Sequence, residues 1–110
     1  MIDLEELESA VMELVVNAGD GRSNAIQAIR AARAGRFEEA EALLDECEKA
    51  LLRCHQTQTD LMQAELQGNK VPVNLLMIHA QDHIMNAMTV KDLAVEIVAM
   101  LKEKKQEENK

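Results

Sequence analysis

The chain has 110 residues and a formal net charge of −8 at pH 7, and this length fits a single domain with a modest core. Asp and Glu outnumber Lys and Arg by 20 to 12, which argues against nucleic-acid binding and favours a basic protein partner. Phe37 is the only aromatic residue, so direct sugar binding on aromatic rings is not expected.

The hydropathy of the chain and its amino terminus together predict a cytosolic protein. No apolar run approaches the ~20 residues that a membrane-spanning helix requires. The first six residues, MIDLEE, are acidic and lack the basic segment that begins an export signal.

The first predicted helix begins near Asp3. Its apolar residues recur at spacings of three and four, at Leu4, Leu7, Val11, Leu14 and Ala18. The same phase continues beyond the glycines at 19 and 21, which predicts a kinked continuation that ends at Gly35. Because a glycine inside a helix costs about 1 kcal/mol, we expect a packing or functional reason for the kink, such as close approach of another chain.

The second predicted helix begins near Phe37 and ends at residues 67–73, where Gly68 suits the C′ position and Pro72 cannot donate a backbone hydrogen bond. Cys47 and Cys54 lie seven residues apart on it, too far along the axis to bond, and are predicted to be buried, reduced thiols. The apolar seam of this helix consists of Phe37, Ala40, Leu44, Cys47, Leu51, Cys54, Gln58 and Leu61. His55 lies beside that seam and is predicted to be a surface residue.

The third predicted helix has Asn74 as its N-cap and runs to about Lys104, so that residues 1–104 form the domain and 105–110 a frayed, charged tail. Its first four turns are apolar almost all round, which predicts an all-α three-helix bundle that self-associates through this helix. Five methionines occupy positions predicted to be in the core: Met62, Met77, Met85, Met88 and Met100.

The segment 79–83, HAQDH, places polar, titratable groups in the most apolar part of the chain. On a helix, His79, Asp82 and His83 share one face and interrupt an apolar stripe, so they are predicted to be partly buried. A buried carboxylate must be protonated, hydrogen-bonded, ion-paired or metal-bound. If copies of this helix meet, the Asp82 side chains converge and require shared protons or a cation on the symmetry axis.

Two chemical interpretations of this segment remain open from spacing alone. His79 and His83 are one turn apart and could bind zinc with Asp82 as the third ligand. Alternatively, a nucleophilic imidazole accepts a group covalently, with the second histidine and the amides of Gln81 or Gln58 as hydrogen-bond donors. A third hypothesis is a coiled-coil partner for a regulator, in which the polar patch sets the register.

Several motifs together resemble the lactose/cellobiose class of enzyme IIA of the bacterial phosphoenolpyruvate-dependent sugar phosphotransferase system. The resemblance covers nearly the whole chain and includes Gly35 with Phe37. The motifs are residues 17–23 (NAGDGRS), 55–59 (HQTQT) and above all 79–83 (HAQDH). It implies an antiparallel three-helix subunit that assembles as a homotrimer of nine helices.

The resemblance also implies the chemistry. His79 would be phosphorylated by the phosphocarrier protein HPr and would pass the phosphoryl group to a cysteine of the cognate IIB protein, which serves the IIC membrane permease. Asp82 would bind a divalent ion, expected to be Mg²⁺, on the threefold axis, and His83 and Gln81 would assist on the phosphate side. No nucleotide is required.

Ala80 within the motif resembles the cellobiose/chitobiose branch of the family more than the lactose branch. The implied cargo is therefore a β-glucoside-type disaccharide, selected by the IIC partner. The alternative hypothesis is a metal-binding or adaptor helical bundle without turnover.

Overall fold

A computed structural model describes residues 3–110, which form three α-helices: α1 (Leu4–Arg33), α2 (Phe37–Leu66) and α3 (Leu75–Glu108). This part of the chain contains no β-strand, so the all-α three-helix prediction is confirmed. None of its helices has an apolar stretch long enough to cross a membrane.

The carboxyl ends of α1 and α2 and the amino end of α3 lie where the local sequence rules place them. Gly35 and Gly68 adopt φ values of +81° and +87° in the turns that follow α1 and α2, a left-handed conformation that glycine adopts without a steric penalty. The Arg36 N–H donates to the carbonyl of Ala31 at 2.9 Å, which closes the end of α1. The side chain of Asn74 accepts a hydrogen bond from a backbone N–H in the first turn of α3, which confirms it as the N-cap.

Hydrogen bonds between the helices show that neighbouring helices run antiparallel. Asn17 and Glu13 on α1 bond to Arg53 and Thr57 on α2, and Glu41 and Gln58 on α2 bond to Lys102 and Gln81 on α3, so residue numbers rise along one helix as they fall along the other. Helix α2 therefore runs opposite to both α1 and α3. The result is a rod with principal extents of 61 × 19 × 18 Å.

Helix α1 continues through its two internal glycines, which confirms the predicted continuation, whereas the predicted kink stays a prediction. Gly21 is buried, and a Cβ atom placed on it would lie 3.1 Å from Cδ2 of Leu51. The close neighbour at Gly21 is thus α2 of the same chain and not another chain. Gly19 has no such neighbour within 4 Å.

The core is built largely from small side chains. Leu7, Leu14, Cys47 and Cys54 are its largest fully buried residues, and both thiols are free, as predicted. Alanine supplies most of the remainder, at positions 18, 25, 28, 31, 32, 40, 50, 80, 87 and 94. Because alanine has a short side chain, the helix axes can approach closely along the bundle, which accounts for its narrow cross-section.

Two sequence predictions about the structure are wrong. Helix α3 continues to Glu108, beyond the predicted end at Lys104, because the intervening Lys, Gln and Glu residues favour helix and no Gly or Pro interrupts them. Of the five methionines assigned to the core, only Met77 is buried in the chain; the others, Met62, Met85, Met88 and Met100, are 45–62% exposed.

Candidate functional site

Helix α3 presents two different faces. Its buried face, which includes Ala80, Ile84 and Ala87, packs against the other helices. The opposite face remains open and carries Leu75 and Ile78, which are 81% and 55% exposed. Because both neighbouring helices contact one side of α3, its second apolar side has no partner among residues 3–110.

The segment 79–83 lies across these faces. His79 and Asp82 are exposed and His83 is half-buried, so the prediction that all three are partly buried is wrong for the single chain. The apolar stripe to which they belong lies outside the intramolecular core. Because Asp82 is exposed in the single chain, its carboxylate pays no desolvation cost there that a partner would have to offset.

His79 and His83 contact each other directly. Their Nε2 atoms lie 3.0 Å apart, and the rings are nearly perpendicular, with centroids 4.4 Å apart and an interplanar angle of 87°. A hydrogen bond between two ring nitrogens requires one to donate its N–H and the other to accept. When His83 donates, the Nε2 atom of His79 carries a lone pair and is held in the tautomer that a nucleophile requires.

Gln81 is about 200° around the helix from His79 at about 100° per residue, and its hydrogen bonds run toward α2 and along α3. Its Oε1 accepts a hydrogen bond of 2.6 Å from Gln58 on α2, and its Nε2 lies 3.7 Å from the sulfur of Met77. The structure therefore brings Gln58 to Gln81 and His79 to His83. Within residues 3–110, no hydrogen bond joins the two pairs.

Asp82 lines a shallow depression of about 430 Å³ together with His79, Gln81 and the apolar residues Leu75, Ile78 and Met85. In the described part of the chain, Asp82 has no cationic partner within 4.0 Å. The same residues contain no group of three or more His, Cys, Asp or Glu side chains that could hold a metal ion. The zinc site proposed from His79, Asp82 and His83 is thus not assembled within one chain.

A groove between α1 and α3 was missed by the sequence analysis. His83 lines it together with residues of α1 that include Arg22 and Arg30, and we call it the arginine groove. Its volume is about 310 Å³, and its remaining lining residues are Gly19, Ser23, Ile26 and Gln27. The available signal was the composition of residues 21–36, which contain four Arg and no Asp or Glu.

The other titratable groups have structural roles. Burial raises the pKa of the Cys47 and Cys54 thiols, which keeps them neutral and makes them poor nucleophiles. Lys91 pairs with Glu48 across α2 and α3 at 2.5 Å, and this hydrogen bond raises the lysine pKa. His55 is exposed on α2, as predicted. The histidine pair is therefore the best candidate for covalent chemistry among these groups.

Comparison with known proteins identifies the family to which the chain belongs. Residues 9–102 match the family model described as "PTS system, Lactose/Cellobiose specific IIA subunit". The chain is similar to the lichenan-specific phosphotransferase enzyme IIA component of Bacillus subtilis strain 168, with 47% identity over 87% of each protein.

Solved structures are similar over nearly the whole chain. The cellobiose-specific enzyme IIA of Bacillus anthracis superimposes with a TM-score of 0.89 at 37% identity, covering 96% of this chain and 95% of that one. The IIA(Chitobiose) in the solution structures of the IIA(Chitobiose)–HPr complex of Escherichia coli gives a TM-score of 0.78 at 35% identity. That match covers 90% of this chain and 96% of the other.

Proposed function

Because the chain belongs to the lactose/cellobiose-specific IIA family of the sugar phosphotransferase system, and is thus a phosphoryl-carrying component of sugar transport, we propose that His79 is the residue that carries the phosphoryl group. The observation that supports this assignment is the exposed imidazole of His79, whose Nε2 lies 3.0 Å from Nε2 of His83. Exposure admits a protein partner, and the contact orients the ring.

The donor in this proposal is phosphorylated HPr, the protein that accompanies IIA(Chitobiose) in the Escherichia coli complex. The lone pair on Nε2 of His79 attacks phosphorus while the bond to the donor nitrogen breaks and its electron pair returns to the donor ring. A cysteine thiolate of the IIB protein then attacks the same phosphorus and releases His79 as a neutral imidazole. Such transfers depend mainly on positioning and on hydrogen-bond donors around the phosphoryl oxygens.

His83 assists this step by position. Once His79 is phosphorylated, the Nε2–H of His83 can donate to a phosphoryl oxygen instead of to the ring nitrogen. Gln81 lines the same depression as His79, and its Oε1 accepts from Gln58, so its Nε2 amide is the group that could donate on the phosphate side.

We propose that the chain assembles as a homotrimer around α3. Leu75, Ile78, Asp82 and Met85 follow one another at steps of three and four residues on the open face of this helix, which is the spacing of a coiled-coil seam. The three apolar residues are 55–81% exposed, and a patch of this kind on a small soluble protein is typical of an association surface.

Asp82 in that seam suits a hard divalent cation such as Mg²⁺. Its carboxylate is the type of oxygen ligand that these ions prefer, and three copies would bring three negative charges together. A bound divalent ion would offset two of these three charges and reduce their mutual repulsion. The chain's own residues carry out the phosphoryl transfer, and the ion takes no part in that step.

The proposed cargo is a β-glucoside-type disaccharide, cellobiose or chitobiose in preference to lactose, chosen by the IIC permease that IIB serves. Names of similar proteins support this class, since they refer to lichenan, cellobiose and chitobiose. Ala80, the residue that suggested this branch, is fully buried and cannot contact a sugar. We place the protein in the cytoplasm, as a single domain of residues 1–104 with a short charged extension.

The test is intact-mass measurement after incubation with phosphoenolpyruvate, enzyme I, HPr and Mg²⁺. We expect one phosphoryl group per chain in the wild type and none in His79→Ala. His55→Ala is the matched control, because His55 is also an exposed helical histidine, and it should still accept the group. A phosphorylated His79→Ala protein, or an unmodified wild type in the presence of phosphorylated HPr, would contradict the assignment.

A further inference from the structure

The arginine groove carries two positive charges into the neighbourhood of the proposed phosphorylation site. Arg22 and Arg30 lie on the same side of α1, and both side chains are exposed. Within residues 3–110, neither has a carboxylate within 4.0 Å. A chain with a net charge of −8 thus keeps two guanidinium groups without an acidic partner in one groove.

This groove is connected to His79 through His83. The ring of His83 forms part of the groove wall, and its Nε2 contacts Nε2 of His79. Any group attached to that nitrogen of His79 must displace the contact and lie beside the His83 ring. The attached group and the groove would therefore share His83 as a neighbour.

The remaining lining of the groove suits an oxyanion. The amide of Gln27 donates to the hydroxyl of Ser23 at 3.0 Å, and both side chains are exposed within the groove. Guanidinium groups bind phosphate oxygens through paired N–H donors, and such charge-assisted hydrogen bonds are about twice as strong as neutral ones. The volume of about 310 Å³ leaves room for a phosphoryl group and its hydration shell.

We propose that the arginine groove is an anion-binding subsite that receives the phosphoryl oxygens of phosphorylated His79, with Arg22 as the principal donor. This inference rests on the assignment of His79 as the phosphorylated residue. Arg22 stabilises the phosphorylated state and takes no part in bond making. Arg30, further along the groove, adds to the positive potential.

The experiment compares wild type, Arg22→Gln and Arg22→Lys after phosphorylation by HPr. The first measurement is the phosphorus NMR shift of the phosphohistidine, and the second is its rate of spontaneous hydrolysis. Arg22→Gln should move the shift and raise the hydrolysis rate by about tenfold, the lower end of the scale of one hydrogen bond to a charged group. Arg22→Lys keeps the positive charge but loses the paired N–H donors of the guanidinium group. Its phosphorus shift and hydrolysis rate should therefore lie between those of the wild type and Arg22→Gln.

Arg33→Gln is the matched control, because Arg33 is an exposed arginine of α1 that lies outside the groove. It should leave both measurements unchanged. If Arg22→Gln changes neither measurement, the proposal is overturned. If it raises only the KM for phosphorylated HPr, in a salt-dependent way, the groove binds acidic side chains of the partner and the proposal is also overturned.

Failure of the underlying assignment has a different signature. In that case the wild type would accept no phosphoryl group on His79, whereas a wrong role for Arg22 would leave a normal phosphohistidine that is insensitive to the substitution. Thermal unfolding of Arg22→Gln provides a check on folding, and an unchanged Tm is expected for this exposed side chain.

Discussion

Replacement of the two glycines inside α1 by alanine should have opposite effects on stability. Alanine is favoured over glycine in a helix interior by about 1 kcal/mol, and this gain applies equally to Gly19 and Gly21. At Gly19 the added Cβ meets nothing within 4 Å, so the full gain is expected. For a domain of about 100 residues, this gain corresponds to a Tm increase of about 4–8 °C.

At Gly21 the same methyl group enters an occupied space. It would lie 3.1 Å from Cδ2 and 3.3 Å from Cγ of Leu51, closer than ordinary van der Waals contact. Overpacking of this kind costs about 1–3 kcal/mol. Because Leu51 packs against buried residues and contacts the methyl group through its branch point as well as its tip, the cost should exceed the helix gain. Gly21→Ala is expected to be destabilised by up to about 2 kcal/mol after the helix gain is subtracted.

The assay is thermal unfolding followed by circular dichroism, with both variants and the wild type at one protein concentration. Equal concentration matters because the apparent Tm of an associating protein depends on it. Each variant is the control for the other, since they share a helix and a chemical change. Equal stabilisation by both substitutions would refute the inference that α2 lies against Gly21.

Three further predictions concern the caps and charges. Asn74→Ala should lower the unfolding free energy by about 1 kcal/mol in chemical denaturation, because the first turn of α3 loses its side-chain acceptor; an unchanged midpoint would contradict this role. Asp82→Leu should raise the Tm and remove any effect of EDTA on it, if three carboxylates meet in the trimer; a monomer in sedimentation analysis would contradict that arrangement. Lys91 should stabilise the fold below pH 10.5, its ordinary pKa, and lose this contribution as pH rises through the raised value; Lys91→Met should flatten the stability profile there, and a profile unchanged by the substitution would exclude the Glu48 pair as the cause.

The positions of the helix ends could be predicted because they depend on residues close in sequence. Gly35 and Gly68 require only the left-handed conformation after a helix, and Asn74 requires only the N–H groups of the next turn. The extension of α3 to Glu108 was missed because a highly charged segment was interpreted as frayed, although its residues favour helix.

The arrangement of the site depended on packing that periodicity does not specify. Helix α3 is apolar almost all round, so the pattern did not indicate which face meets α1 and α2, and Met85 and Met88 were assigned to the core in error. The contact between His79 and His83 follows from their spacing of four residues. Arg22 and His83 line the same groove, and this could not be predicted without knowing how α1 packs against α3.

The unequal connections between the helices have a consequence for how the chain folds. The turn at residues 34–36 joins α1 to α2 directly, whereas α3 follows a longer connection at residues 67–74. Because short loops lose less entropy on closure, we expect the α1–α2 hairpin to form first and α3 to dock onto it afterwards. Pulse-labelling hydrogen exchange should then protect the amides of α1 and α2 before those of α3. The helix that carries His79 would be the last to become ordered, and association of chains, which needs its open face, would be the final, concentration-dependent step.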